Sequence, residues 1–132
     1  MEKKLSVVVS VYNEEEALPL FYETAKPVLQ GLPWDYELLF VNDGSEDRSS
    51  EILDRLAAED DRIKVVSFSR NFGHEAAMIA GIDYAGGDGI VCMDADLQHP
   101  PACLPEIVKK LEEGCGVITM VRTRNESAGV IK

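Results

Sequence analysis

The chain has 132 residues, 45% of them hydrophobic, and a formal net charge of −11 from 13 basic and 24 acidic side chains. That length and apolar content point to one folded domain with a real core and exclude a disordered chain. The acidic balance argues against a nucleic-acid partner, whose phosphates are bound by basic surface. Cys92, Cys103 and Cys115 are odd in number and lack CxxC spacing, so they read as reduced thiols rather than a disulfide framework or zinc site. No apolar run is long enough to span a membrane, and the stretch after Met1-Glu2-Lys3-Lys4 is too short for a secretory signal. The chain as given is therefore expected to be soluble and cytoplasmic.

Leu5 to Val11 is a short β-branched run, read as a first strand buried on both faces. It ends in Tyr12-Asn13-Glu14-Glu15-Glu16, where Asn13 is placed to cap a helix running to about Gln30. Pro19 falls in its first turns, and Pro27 is expected to kink or end it. Tyr36 to Val41 reads as the second strand, closed by Asn42-Asp43-Gly44-Ser45, and a helix follows from about Asp47 to Glu59. Ile63 to Phe68 is the third strand, closed by Ser69-Arg70-Asn71-Phe72-Gly73. The helix over His74 to Tyr84 is rich in small residues and is expected to pack close to the sheet. Gly89 to Met93 is a fourth strand, Leu104 to Glu113 a helix stopped by Gly114, and Gly116 to Val121 a fifth strand. Alternating strands and helices predict an α/β fold with a mostly parallel sheet and helices on both faces.

The fourth strand carries the strongest chemical signal, because Asp94 and Asp96 appear where its apolar run stops. Side chains alternate in extended chain, so Asp94, Asp96 and Gln98 share one side while Ala95 and Leu97 face the other. Two carboxylates and an amide oxygen suit a hard divalent cation such as Mg²⁺ or Mn²⁺, which keeps positions open for phosphate oxygens. Asn13, Glu14, Asp43, Arg70, Asp94 and Asp96 all follow strands, which places them along one edge, where open α/β sheets bind ligands.

Each neighbouring segment carries two readings. Asp43-Gly44-Ser45 either turns the chain or offers an acceptor to a base or ribose. Tyr12-Asn13-Glu14 either starts a helix or presents an aromatic face to a base. Arg70 follows a strand and has the planar fork of donors that suits a diphosphate. His74-Glu75-Ala76-Ala77-Met78 lacks the second histidine of the zinc-protease HExxH helix, and neither GxGxxG nor a Walker-type phosphate loop occurs. His74 and His99 are read as surface or capping groups, although His99 adjoins the acidic cluster.

Together these segments resemble the inverting family 2 glycosyltransferases of the GT-A fold, especially the polyprenyl-phosphate branch with dolichol-phosphate mannose synthases and bactoprenol glucosyltransferases. The matching pieces are Val7-Val8-Val9-Ser10-Val11-Tyr12-Asn13-Glu14-Glu15, Val41-Asn42-Asp43-Gly44-Ser45-Glu46-Asp47, Ser69-Arg70-Asn71-Phe72-Gly73 and Asp94-Ala95-Asp96-Leu97-Gln98-His99-Pro100. The resemblance implies a Rossmann-like nucleotide-sugar-binding half, with Tyr12, Asn13, Glu14, Asp43, Arg70, Asp94, Ala95 and Asp96 around a UDP- or GDP-linked sugar. It also implies that Asp94, Asp96 and Gln98, at the family's Asp-x-Asp motif, surround Mg²⁺ or Mn²⁺ bridging the diphosphate. Ser10 stands where a proline is common in the family, a departure expected to have little consequence.

Such enzymes continue into an acceptor-binding half, often followed by membrane helices. Residues 1–132 are accordingly expected to be a single donor-binding domain, with the acceptor half and any general base lying beyond Lys132. The intact protein is expected at the cytoplasmic face of the membrane, using a lipid phosphate as acceptor, and this piece is expected to bind donor without turnover. A truncated sheet is also expected to expose an edge available to a second copy. The alternatives are a binding-only module and a sugar nucleotidyltransferase, whose glycine- and basic-rich first loop is missing here. A phosphoacceptor receiver domain would need an acidic pair after the first strand and an aspartate after the third, where Arg70 stands.

Overall fold

The computed structural model describes residues 3–95 and 101–114 in full, and two later strands by their backbone. Strands β1 (Lys4–Val11), β2 (Asp35–Asn42), β3 (Ile63–Ser67), β4 (Gly89–Asp94) and β5 (Val117–Val121) are parallel, and β6 (Gly129–Ile131) runs antiparallel to β5. Their order across the sheet is β3-β2-β1-β4-β5-β6. The helices are α1 (Ala17–Gln30), α2 (Ser49–Glu59), α3 (His74–Tyr84) and α4 (Leu104–Glu112), the last entered through a 3₁₀ turn at Pro101–Cys103.

Strand alternation sorts the core into two layers. Val7, Val9 and Val11 join Leu38, Phe40, Val91 and Met93 in a cluster with Leu18 and Phe21 of α1, Leu53 of α2 and Ile107 of α4. Val8, Leu39, Val41 and Cys92 point the other way, onto Ala77 of α3. Helices thus cover both faces of a mostly parallel sheet, as the sequence predicts. α3 can lie against β1 because Gly81 has no side chain, and a Cβ there would stand 2.2 Å from Val8 Cγ1.

At the amino edge of the sheet, Glu37 is buried and tied to three elements. Its Oε2 accepts from Ser6 Oγ at 2.5 Å and from the Gly86 N–H at 2.8 Å, while Lys64 and Lys4 stand 2.9 and 3.4 Å from Oε1. Burial alone would push this carboxyl up, but Ser6, Lys64, the Gly86 N–H and Lys4 together lower it from its ordinary 4.5 to about 2.

Two local expectations differ from the structure, and one strand was not foreseen. Asn13 does not cap α1. It adopts a left-handed φ of 52° and its side chain accepts the Glu46 N–H at 2.8 Å, so the chain turns first and α1 begins only at Ala17. Pro27 does not end α1, which continues to Gln30 with Ala25 and Leu29 buried on either side of it. The β6 hairpin partner of β5 was not legible in the sequence, because its three residues carry no alternating pattern.

Candidate functional site

The same alternation that sorts the core decides which polar groups meet beyond the carboxyl ends of the strands. Asp43 continues the parity of Leu39 and Val41, and Ser10 and Asp94 continue that of Val8 and Cys92, so all three belong to the α3 face. Asn42, of opposite parity, instead donates to Ser50 Oγ of α2 at 2.7 Å.

Asp43, 3% exposed, is spent on the loop between β3 and α3. Its Oδ1 accepts the Phe72 N–H at 2.7 Å, and its Oδ2 accepts the Gly73 N–H and the Asn71 amide, both at 3.0 Å. Gly44 lets the two chains touch: it has φ 69°, and a Cβ there would stand 2.2 Å from the Arg70 carbonyl carbon. Arg70 is thereby carried on a fixed loop, its guanidinium 4.7 Å above the Phe72 ring, which in turn meets Phe68 edge-on at 5.5 Å.

A second clamp joins the segment after β1 to the segment after β2. The N–H groups of Asn13, Glu14 and Glu15 donate to Ser45 Oγ, Ser49 Oγ and Asp47 Oδ2 at 3.0, 2.9 and 3.1 Å, while Asn13 Oδ1 accepts from Glu46. The Asp47 carboxyl is lowered: desolvation opposes ionisation, but the Ser49 hydroxyl and backbone N–H groups outweigh it. Between the two clamps lies a cleft of about 250 Å³ lined by Tyr12, Asn42, Gly44, Ser45, Arg70 and Asn71. Tyr12, at 45% exposure, offers its ring to whatever enters.

Asp94 closes β4 in register with Ser10 of β1, the strand at which the sheet order reverses. Ser10 Oγ lies 3.3 Å from Asp94 Oδ1 and 2.9 Å from His74 Nδ1, and that ring nitrogen is itself 3.6 Å from Asp94 Oδ1. These residue types make hydrolase triads elsewhere, but here serine and aspartate meet the same imidazole nitrogen. A triad needs them on opposite nitrogens.

The expected site residues therefore divide. Tyr12 and Arg70 share the cleft, and Asn13 and Glu14 are held beside it through their backbone. Asp43 sits behind it and supports its wall. Asp94 stands on the neighbouring strand end of the same edge. The Ala95 side chain is buried in the opposite layer of the core. Asp96, Gln98 and His99 lie outside the described residues. Among the described residues no three His, Cys, Asp or Glu side chains group closely enough to hold a metal ion. Sequence reading did not find the parts played by Ser10 and His74. The available signal was parity: Ser10 is two residues after inward-facing Val8, and His74 opens the helix that covers that face.

A Rossmann-like parallel sheet with polar groups gathered outside the ends of β1 to β4 has the architecture of a GT-A glycosyltransferase. The mannosyltransferase PcManGT from Pyrobaculum calidifontis, solved with GDP-Man and Mn²⁺, superimposes with a TM-score of 0.69 at 21% identity, over 84% of this chain and 33% of that one. The model of "Glycosyl transferase family 2" matches residues 6–131, and the chain belongs to that family. The uncharacterized glycosyltransferase YkcC of Bacillus subtilis is 49% identical over 127 residues, covering 96% of this chain and 39% of that relative. The bactoprenol glucosyl transferase of Shigella phage SfV is 40% identical over 129 residues, covering 98% of this chain and 42% of that relative. The chain thus spans about two fifths of the length of these relatives. Among the described residues no helix is long and apolar enough to cross a membrane.

Proposed function

We propose that residues 1–132 form the donor-binding domain of a glycosyltransferase that moves a sugar from a nucleoside diphosphate to a polyprenyl phosphate. The observation that carries this reading is the placement of Asp94, in register with Ser10, on the same sheet edge as the cleft of Tyr12, Gly44 and Arg70. The nucleoside enters that cleft against Tyr12, with Glu14 beside it and Asp43 supporting its wall from behind. Arg70 offers its fork of N–H donors to the diphosphate. The polyprenyl acceptor is drawn from the similarity to a bactoprenol glucosyl transferase, and the metal from the Mn²⁺ of the mannosyltransferase structure.

Asp94 supplies a hard carboxylate oxygen at the strand end, which fits Mg²⁺ or Mn²⁺. Asp94, Asp96 and Gln98 would hold such an ion, which when bound would offset the charge that builds on the departing diphosphate. A phosphate acceptor is already anionic and needs no strong base. A hydroxyl acceptor would need one, and that group is assigned to the acceptor half of the longer protein. The intact enzyme would meet its lipid at the cytoplasmic face of the membrane.

Calorimetric titration of the chain with UDP-glucose, GDP-mannose and UDP-GlcNAc, with and without Mn²⁺, tests donor binding. Metal-dependent binding of at least one donor is expected. Heats indistinguishable from buffer for all three, with metal present, would overturn the proposal.

A further inference from the structure

We propose that His74 and Ser10 are positioning residues that fix the Asp94 carboxylate through a chain of two hydrogen bonds, His74 Nδ1–H to Ser10 Oγ and Ser10 Oγ–H to Asp94 Oδ1. The inference deepens the donor-binding reading and rests on it for the role of Asp94. Its direction follows from counting protons. Ser10 has one hydroxyl hydrogen and two neighbours, at 2.9 Å and 3.3 Å. An ionised carboxylate only accepts, so the hydrogen goes to Asp94, and the bond to His74 then needs a hydrogen on Nδ1. The reverse arrangement, with the hydroxyl donating to Nδ1, would leave the Ser10 oxygen lone pairs facing Asp94 Oδ1 at 3.3 Å with no hydrogen between them.

The backbone places each member. Ser10 and Asp94 are paired across parallel strands, so their side chains leave the same face of the sheet. His74 is the first residue of α3, and the residue before it, Gly73, is fixed by its N–H bond to Asp43 at 3.0 Å. The ends of β2, β1 and β4 are thereby linked through the start of one helix. An outer ring that orients a ligating carboxylate raises cation affinity by about 10–100-fold in metal sites generally. Here the imidazole remains 55% exposed and Asp94 only 18% exposed, so the ring shields and orients the acid from the solvent side.

The first measurement needs neither metal nor nucleotide. Imidazole ¹⁵N NMR of the chain, with His99→Gln used to assign the two histidines, is expected to show a protonated Nδ1 on His74 whose signals move in Ser10→Ala. An unprotonated Nδ1, or a His74 spectrum blind to Ser10→Ala, would overturn the hydrogen-bond chain. The second is UDP affinity with and without Mn²⁺. Ser10→Ala and His74→Ala are each expected to weaken the Mn²⁺-dependent part about tenfold and leave metal-free affinity unchanged. His74→Asn, which keeps a donor near the Nδ1 position, is expected to recover most of the loss. Wild-type Mn²⁺–UDP affinity in both alanine variants would overturn the positioning role alone. Absence of Mn²⁺–UDP binding by the wild type, with the NMR signature present, would overturn the donor reading and the positioning role while leaving the hydrogen-bond chain standing.

Discussion

Replacing Asp43 by alanine separates a residue that holds a loop from one that only touches a ligand. The carboxylate receives three donors at 2.7–3.0 Å, from Phe72, Gly73 and Asn71. Hydrogen bonds to a charged group contribute about 1.5–3 kcal/mol each, but Asn71 and Phe72 are exposed, so water reaches part of what is freed. The expected net loss is about 2–4 kcal/mol, a large share of the roughly 5–15 kcal/mol typical of a domain. Urea unfolding of the ligand-free chain at neutral pH reads it directly. Asp43→Asn keeps an oxygen for Phe72 but turns an amide toward the Gly73 N–H, and is expected to show about half the loss. If both variants unfold within about 0.5 kcal/mol of wild type, yet bind nucleotide poorly, the carboxylate acts on the ligand and the loop stands without it.

Two further outcomes follow from the same geometry. Because the Glu37 carboxyl falls from 4.5 unfolded to about 2 folded, its contribution of about 3 kcal/mol is present above pH 4.5 and lost as pH drops toward 2. Urea midpoints followed from pH 7 to pH 2.5 should therefore fall more steeply in wild type than in Glu37→Gln, and parallel curves would refute the assignment. Gly44→Ala puts a methyl group 2.2 Å from the Arg70 carbonyl carbon at a φ of 69°, so it should cost about 2–3 kcal/mol. It should also shift the amide resonances of Asn71, Phe72 and Gly73; an unchanged spectrum would contradict the close approach.

The framework of this protein was legible because hydrophobic runs and their spacing are local properties. The β-branched stretch of β1 is buried from Leu5 to Val9, and α3 begins at His74 and ends at Tyr84 as its pattern predicts. Placement of polar residues at strand ends was also legible, since a parallel sheet brings every such end to one edge. Partnerships across the chain were not. Asn13 has the chemistry of a helix cap, yet its side chain serves Glu46, 33 residues away. Asp43 could have accepted from a ligand, but the nearby backbone of Phe72 and Gly73 claims it. Ser10 was expected to have little consequence, and only the register between β1 and β4 brings it to Asp94.

Paramagnetic broadening by Mn²⁺ in the presence of UDP reports where the cation sits relative to each backbone amide. Nucleotide-dependent loss of the Tyr12, Gly44, Asp94 and Ala95 resonances at the carboxyl edge is expected, with Gly86 and Gly87 at the amino edge unaffected. Broadening centred on Gly86 and Gly87, or broadening at Asp94 that ignores the nucleotide, would contradict it.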